Sequence, residues 1–293
     1  MADTYRGFKS KEGYKKYKNA HDKVMGLWDI PYEEQIFNTS FGDVSVLTCG
    51  QQDNEPVVFF HAFGFSSAEW YAVARNLKDD YRLYFVDVLG EFNYSDTKEH
   101  LNEREDYKTW ITELFDALML AKVTIVGHSN GGWHALNYAI LNPDRVKSLI
   151  VLSPAASIKR MNRSFYSRLL LTNLIPRESL VINQFCRWLT VRRQEGHEKL
   201  FKLYFLGQKY VSWEYVMTPP KKFKSEELAS LMMPVNIAVG REEVIYDPFQ
   251  LLEEAENKIR TCVPHMFETG GHMLPIEIPD EVSTYIKKVL SNQ

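Results

Sequence analysis

Residues 122–141, KVTIVGHSNGGWHALNYAIL, are the stretch of the chain that decides the fold. The first five, KVTIV, are mostly β-branched and apolar, which is typical of a buried strand. The last eleven, GGWHALNYAIL, place apolar residues three and four positions apart, as one face of a helix does. Between them stands GHSNG (127–131), so the stretch predicts a strand, a sharp turn at Ser129 and a helix.

The same alternation of strand-like and helix-like segments continues on both sides of this unit. Helical spacing of apolar residues occurs over 105–121 and 279–290, and an antiparallel hairpin is predicted around residues 38–43. Strands separated by helices predict an α/β fold with a mostly parallel central sheet and helices on both faces. The other strand-like runs are VSVLTC (44–49), PVVFF (56–60), YRLYFVDV (81–88), VKSLIVL (146–152), PVNIAVG (234–240) and CVPHMFET (262–269).

The alternation breaks once, between residues 156 and 225. Helical stretches alone occur there, so this segment is predicted to be a helical insertion after the sixth strand. The sheet domain then comprises residues 1–155 and 226–293. Within it, residues 1–30 are predicted to form a basic helical arm that packs against the body.

The composition is that of an ordinary globular protein and excludes several classes. The chain has 293 residues, of which 45% are hydrophobic and 25% charged, and its formal net charge is −3. Its apolar runs are far shorter than the roughly 20 residues that cross a bilayer, and its start, MADTYRGFKSKEGYKKYK, has no apolar stretch like that of a signal peptide. We therefore expect no integral membrane segment and a cytoplasmic location. Three widely spaced cysteines are expected to be reduced thiols: Cys49, Cys186 and Cys262.

The predicted insertion is strongly basic. Residues 156–225 carry fourteen Lys or Arg side chains against four Asp or Glu. This charge is interpreted either as the solvated outer face of amphipathic helices or as a surface that attracts anionic substrates or lipid headgroups. A weak contact with an anionic surface is thus one of two alternatives. Nucleic acid is not expected as a partner, because no recognition motif accompanies the charge.

The turn at Ser129 has the residues that a nucleophilic serine needs. Side chains two positions on either side would collide with neighbouring backbone, which explains the glycines at 127 and 131. The turn is expected to leave Ser129 strained and exposed. A serine hydroxyl becomes a good nucleophile when a base takes its proton and a carboxylate orients that base. The alternative is a glycine-rich turn in which Ser129 merely caps the helix.

His272 is the predicted base among the eight histidines. It lies in TGGHMLP (269–275), a loop between the last strand and the final helix, and such loops carry the chemistry of α/β sheets. Two acids that follow PVNIAVG are candidates for orienting it. Asp247 precedes Pro248 at a predicted helix start and so also fits a helix cap. Glu243 has no capping role and is favoured, with Asp247 as the alternative acid.

These motifs make the chain resemble the α/β-hydrolase superfamily, in particular its serine esterases with a helical lid. The resemblance rests on the order of Ser129, an acid and His272, on HAFG (61–64), and on VDVLG (86–90) followed by Ser95. It extends over the whole chain except the insertion.

Two further features follow from this resemblance. It implies that the backbone N–H groups of Phe63 and Asn130 form an oxyanion hole and that the insertion 156–225 is a lid. The sequence departs from the family pattern at Ala62, where glycine is usual, and at Glu243, where aspartate is more common.

The predicted function is hydrolysis of carboxylic esters through an acyl-enzyme intermediate, with small or medium apolar acyl groups. The alternatives are a thioesterase or C–C bond hydrolase on the same scaffold, and a non-catalytic binding protein. The expected partner is a small-molecule ester. No cofactor is expected, because no G-x-G-x-x-G or Walker-type loop follows a strand, and no residues have metal-ligand spacing.

Apolar side chains of the insertion are expected to line an acyl pocket or to pack the lid onto the body. They are Phe165, Tyr166, Leu169, Leu170, Leu174, Phe185, Trp188, Leu189, Phe201, Tyr204, Phe205 and Trp213.

Overall fold

The computed structural model describes residues 7–192, 196–214 and 219–292. The strands in this part of the chain are β1 (Glu33–Thr39), β2 (Gly42–Cys49), β3 (Glu55–Phe60), β4 (Tyr81–Val86), β5 (Asp96–Thr97), β6 (Val123–His128), β7 (Val146–Leu152), β8 (Val235–Gly240) and β9 (Cys262–Phe267). The helices are α1 (Lys11–Met25), α2 (Tyr71–Leu77), α3 (Arg104–Ala117), α4 (Asn130–Leu141), α5 (Arg163–Leu174), α6 (Glu178–Leu180), α7 (His197–Tyr210), α8 (Ser225–Ala229), α9 (Pro248–Lys258), α10 (Leu274–Glu277) and α11 (Pro279–Leu290).

One sheet holds all these strands. Its order is β1-β2-β4-β3-β6-β7-β8-β9, and β5 pairs with the first two residues of β2. The six strands from β4 to β9 along this order pair in parallel, whereas β1 and β2 form an antiparallel hairpin and β2 pairs with β4 antiparallel. The prediction of an α/β fold with a mostly parallel central sheet is confirmed.

The strand count differs from the prediction by one. The strand Val146–Leu152, which the sequence analysis counts as the sixth, is the seventh because β5 comes before it. Since β5 has two residues, Asp96 and Thr97, it is too short to show an alternating apolar pattern. The insertion therefore follows β7 in the structure.

The centre of the sheet carries the core and brings several loops together. Strand β6 is buried along its whole length, and so are the first ten residues of α4, which follows it. Because β3, β6, β8 and β9 run parallel, their carboxyl ends lie at one edge of the sheet. The loops at this edge carry Phe63, Ser129, Glu243 and His272.

Helices α5, α6, α7 and α8 lie in the segment between β7 and β8. The start of the described chain packs on α7, because the Lys9 N–H donates to the Tyr210 carbonyl at 2.8 Å and the Ser212 N–H donates to the Gly7 carbonyl at 2.6 Å. A Cβ on Gly13 of α1 would come within 2.8 Å of the Tyr210 ring, so the close approach of α1 requires glycine there. Part of the predicted arm (1–6) and two parts of the predicted insertion (193–195 and 215–218) lie outside the described residues.

The apolar residues of α5 are predicted to line a pocket or to pack onto the body, but several of them face solvent. Tyr166, Leu170 and Leu174 are exposed. Periodic spacing predicts that a helix has an apolar face but not the direction in which that face points. In the described residues, every helix is too short or too polar to span a bilayer.

Candidate active site

Ser129 stands in a strained turn between β6 and α4. Its backbone has φ 53° and ψ −111°, a conformation that residues other than glycine rarely adopt. A Cβ at Gly127 would lie 2.4 Å from the Gly131 carbonyl oxygen, and one at Gly131 would lie 2.1 Å from that of Phe60. The turn thus requires both glycines. Ser129 is 6% exposed, less than expected from the turn alone, because the surrounding loops cover it.

Three of the predicted residues form one chain of hydrogen bonds. The Ser129 hydroxyl lies 2.8 Å from Nε2 of His272, and Nδ1 of His272 lies 2.9 Å from Oε2 of Glu243. Because an ionised carboxylate can only accept hydrogen bonds, Nδ1 carries the proton and donates a hydrogen bond to Glu243. Nε2 is then left to accept the hydrogen bond from the hydroxyl, as a general base does.

The second oxygen of Glu243 is also satisfied. Oε1 accepts hydrogen bonds from the N–H groups of Val244 and Ile245, at 2.8 and 3.0 Å. Burial on its own raises the pKa of Glu243, but the adjacent His272 imidazole and the hydrogen bonds to the carboxylate outweigh burial and hold the pKa below its usual value. Glu243 is therefore a carboxylate at neutral pH.

Asp247, the alternative acid, lies elsewhere. Its carboxylate accepts a hydrogen bond from the Gln250 N–H at 3.0 Å, and Pro248 occupies the first position of α9. Asp247 is thus the N-cap of α9. Of the two candidate acids, Glu243 is the one that contacts His272.

The loop of His272 is tied to the insertion by Glu277, a residue in none of the predicted site motifs. Glu277 is fully buried, and its Oε1 accepts from the N–H groups of Gly271 and Met273 at 3.2 and 3.1 Å. Its Oε2 accepts from the N–H groups of Val191 and Arg192 at 2.7 and 2.9 Å. One carboxylate therefore holds the residues on both sides of His272 and a segment of the insertion.

Leu189 adds a further tie between the same two segments. Its carbonyl oxygen accepts a hydrogen bond from the backbone N–H of His272 at 3.0 Å. The segment 189–192 of the insertion and the loop of His272 therefore form one hydrogen-bonded unit.

A second buried pair, His128 and Glu69, is hydrogen-bonded to the backbone of His272. Nε2 of His128 donates to the His272 carbonyl at 2.9 Å, and Nδ1 lies 3.1 Å from Oε1 of Glu69. Burial on its own lowers the pKa of His128, but the Glu69 carboxylate and these hydrogen bonds outweigh burial and raise the pKa. Glu69 also accepts from the Ala62 N–H at 3.1 Å, so the pair links the loop after β3 to that of His272.

Glu91 connects the two residues expected to form the oxyanion hole, Phe63 on the loop after β3 and Asn130 at the start of α4. Oε2 of this buried acid accepts from the Gly64 N–H at 2.8 Å, next to Phe63, and Oε1 accepts from the Asn130 side-chain amide at 2.7 Å. The Phe63 N–H donates to no group among the described residues. Glu91 thus fixes the Phe63 loop relative to the start of α4.

Aromatic side chains from the insertion lie against the Phe63 loop. A Cβ on Gly64 would come within 2.4 Å of the Tyr204 ring of α7. The Phe92 ring packs against Phe63 and Trp213, with centroids 5.3 and 5.2 Å apart. The Phe63 loop therefore has aromatic rings on one side, in addition to the buried carboxylates that bind its N–H groups. Within the described ranges, no group of three or more His, Cys, Asp or Glu side chains is arranged to hold a metal ion.

Comparison with known proteins places this site in a family. The family described as the alpha/beta hydrolase fold matches residues 55–277, from the start of β3 to the end of α10. The chain belongs to the α/β hydrolase fold family. The match includes the turn of Ser129, the acid loop and the loop of His272.

Proteins named as carboxylesterases are similar to this α/β hydrolase over most of their length. A protein of Bacillus subtilis (strain 168) named uncharacterized carboxylesterase nap is 29% identical over 279 residues, which cover 93% of this chain and 91% of that protein. Carboxylesterase YbfK of the same organism is 27% identical over 290 residues, covering 97% and 95%. The crystal structure of naproxen esterase from Bacillus subtilis has a TM-score of 0.89 at 28% identity, covering 96% of this chain and 99% of that one. By these similarities the chain is a carboxylesterase-like α/β hydrolase.

Proposed function

We propose that this protein hydrolyses carboxylic esters, with Ser129 as the nucleophile, His272 as the general base and Glu243 as the acid that orients it. The observation that carries the proposal is the continuous hydrogen-bonded chain from Ser129 through His272 to Glu243, at 2.8 and 2.9 Å. The strained turn supports the same role, because it holds the hydroxyl in place before substrate binds.

Each residue has a defined step in this reaction. The Ser129 oxygen attacks the ester carbonyl carbon while its proton passes to Nε2 of His272, and Glu243 stabilises the imidazolium. The N–H groups of Phe63 and Asn130 hold the negative oxygen of the tetrahedral intermediate. The bond to the alcohol then breaks, and the alcohol takes the proton from His272. Water attacks the acyl-enzyme by the same route and releases the acid and free Ser129.

The aromatic side chains beside the Phe63 loop favour small or medium apolar acyl groups. Phe63, Phe92, Tyr204 and Trp213 form a continuous set of ring contacts on one side of this loop. Such walls stabilise an apolar group by removing it from water. Relatives named carboxylesterase and naproxen esterase support ester substrates.

The test is a pair of serine variants assayed with a chain-length series of p-nitrophenyl esters and of matching thioesters. Ser129→Ala removes the nucleophile and should lower kcat by about 10⁴–10⁶, with loss of labelling by a fluorophosphonate. Ser167→Ala removes an exposed serine of α5 and should leave both unchanged. More than a tenth of wild-type activity in Ser129→Ala would refute the mechanism. A preference for thioesters over the matching esters would replace ester hydrolysis by thioester hydrolysis.

A further inference from the structure

Helix α5 (Arg163–Leu174) exposes the side chains that a helix of a globular protein usually buries. In this fully described helix, the buried residue is Thr172. By contrast, Leu170 is 60% and Leu174 71% exposed, and Tyr166 and Leu171 are also exposed. Scattered single apolar residues are normal on a surface, but a cluster of this kind marks an interaction site.

The exposed residues lie together on one face. Arg163, Tyr166, Leu170 and Leu174 follow one another at intervals of three, four and four residues, which places them on the same side of a helix. Ile175, which follows the helix, is exposed as well. This face, called here the α5 face, is thus apolar along its length with a cation at its first turn.

The charges of the chain segment that contains α5 have one sign from residue 156 to Arg177, where Glu178 follows. Residues 156–177 contain five Lys or Arg side chains and no Asp or Glu. Among the five, Arg160, Arg163 and Arg177 are exposed and form no ion pair with any described residue. An apolar helix face with arginines beside it fits a surface that is negatively charged outside and apolar beneath.

We propose that the α5 face binds an anionic lipid surface. The leucines enter the boundary between headgroups and acyl chains, and the three arginines contact lipid phosphates. A second copy of the chain fits less well, because a two-fold interface would set this segment of five cations against itself with no acid in it.

The position of α5 connects this surface to the reaction. The Asn162 N–H donates to the Ile245 carbonyl at 2.7 Å, and the Asn162 side-chain amide donates to the Val244 carbonyl at 2.5 Å. Helix α5 therefore begins on the loop that carries Glu243. The α5 face therefore starts at the edge of the sheet that carries Ser129 and His272, so lipid binding would hold that edge near the membrane.

Co-sedimentation with vesicles tests the proposal on the full-length protein. Vesicles of phosphatidylcholine alone are compared with vesicles of equal parts phosphatidylcholine and phosphatidylglycerol. We expect binding to the anionic vesicles, weakened by high salt, and little binding to the neutral ones. Equal binding to both kinds of vesicle, or to neither, would overturn the proposal.

Matched variants assign the binding to the α5 face. Leu170→Ser with Leu174→Ser, and separately Arg163→Gln with Arg177→Gln, should each weaken binding about tenfold or more. The control combines Met232→Ser and Arg260→Gln. Met232 is 71% exposed, like Leu174, and both control residues lie at the amino ends of β8 and β9, away from the catalytic edge.

The remaining outcomes are equally decisive. If the control weakens binding as much as the α5 pairs do, the α5 face is not the contact. If gel filtration with light scattering shows a dimer that the leucine pair dissociates, while vesicles are not bound, the occupant is a second copy. Turnover of a water-soluble p-nitrophenyl ester should stay unchanged in every variant, which separates this proposal from that of ester hydrolysis.

Discussion

Two segments of the same insertion contact the rest of the molecule in opposite ways. Residues 189–192 join the loop of His272 through the Leu189 carbonyl and the carboxylate of Glu277. Helix α5 is held at its start by Asn162, while Leu170, Leu171 and Leu174 face solvent. The insertion is therefore not uniform: residues 189–192 are hydrogen-bonded to the loop of His272 and to Glu277, and α5 lies at the surface.

The physical reason lies in which groups each segment has buried. Moving residues 189–192 away would leave the Glu277 carboxylate short of two donors and expose backbone N–H groups without partners, and unsatisfied buried polar groups cost several kcal/mol. Moving α5 would break the hydrogen bonds of Arg168 and Asn173 and would separate Phe165 and Leu169 from the core. The other large apolar side chains of α5 are already exposed, so they would lose little. We therefore expect changes in residues 189–192 to affect catalysis and changes in α5 to affect binding at the surface.

Beyond the loss of Ser129, the largest effect is expected at Glu243, the hydrogen-bond partner of the His272 side chain. Glu243→Gln should lower kcat by about 10²–10⁴ with little change in KM, because only the transition state that carries an imidazolium loses its partner. Steady-state kinetics with a p-nitrophenyl ester measures this.

Asp247→Asn is the matched control for Glu243→Gln. It should be nearly silent, since asparagine caps a helix as well as aspartate does. A disabled Asp247→Asn beside an active Glu243→Gln would transfer the orienting role to Asp247.

The next effect concerns the carboxylate that joins the two segments. In Glu277→Gln the new amide N–H₂ group faces two backbone donors and cannot accept from them. We expect the loop of His272 to shift slightly, with kcat lower by about 10–10² and KM nearly unchanged, because small misplacements of a base are costly. Kinetics and urea unfolding are measured together.

The control for Glu277→Gln is Glu281→Gln, a change of an exposed acid in α11. It should leave both kinetics and stability unchanged. If Glu277→Gln lowers stability but leaves kcat intact, Glu277 is a structural tie without influence on the position of His272.

The sequence predicts local chemistry better than it predicts contacts between residues that are distant in the chain. Ser129, His272 and Glu243 carry local signals: glycines around a turn, a loop after a strand, and an acid without a capping role. Each of Glu69, Glu91 and Glu277 contacts at least one group that is distant in the chain, which no local pattern reveals. These distant partners are His128, Asn130 and Val191.

One weak signal for Glu277 does exist. It is an acid within the apolar run MLPIEIP (273–279), and such an acid is either solvent-exposed or buried with partners. The fold was predictable because β-branched runs and helical spacing depend on neighbours in sequence. The direction of the apolar face of α5 was not, because it depends on what covers that face.

The smallest effect is expected on α5 and reverses the usual order of side-chain deletions. Leu174→Ser removes a large apolar group that is 71% exposed, so it should change the free energy of unfolding by no more than about 0.5 kcal/mol and kcat on a soluble ester by less than about twofold. Thr172→Ser removes a single methyl group from a fully buried residue and should cost about 1 kcal/mol. Urea unfolding of the two variants side by side makes the comparison. If Leu174→Ser proves the more costly change, α5 packs its leucines against the protein in solution, and the distinction between an anchored segment and a surface segment fails.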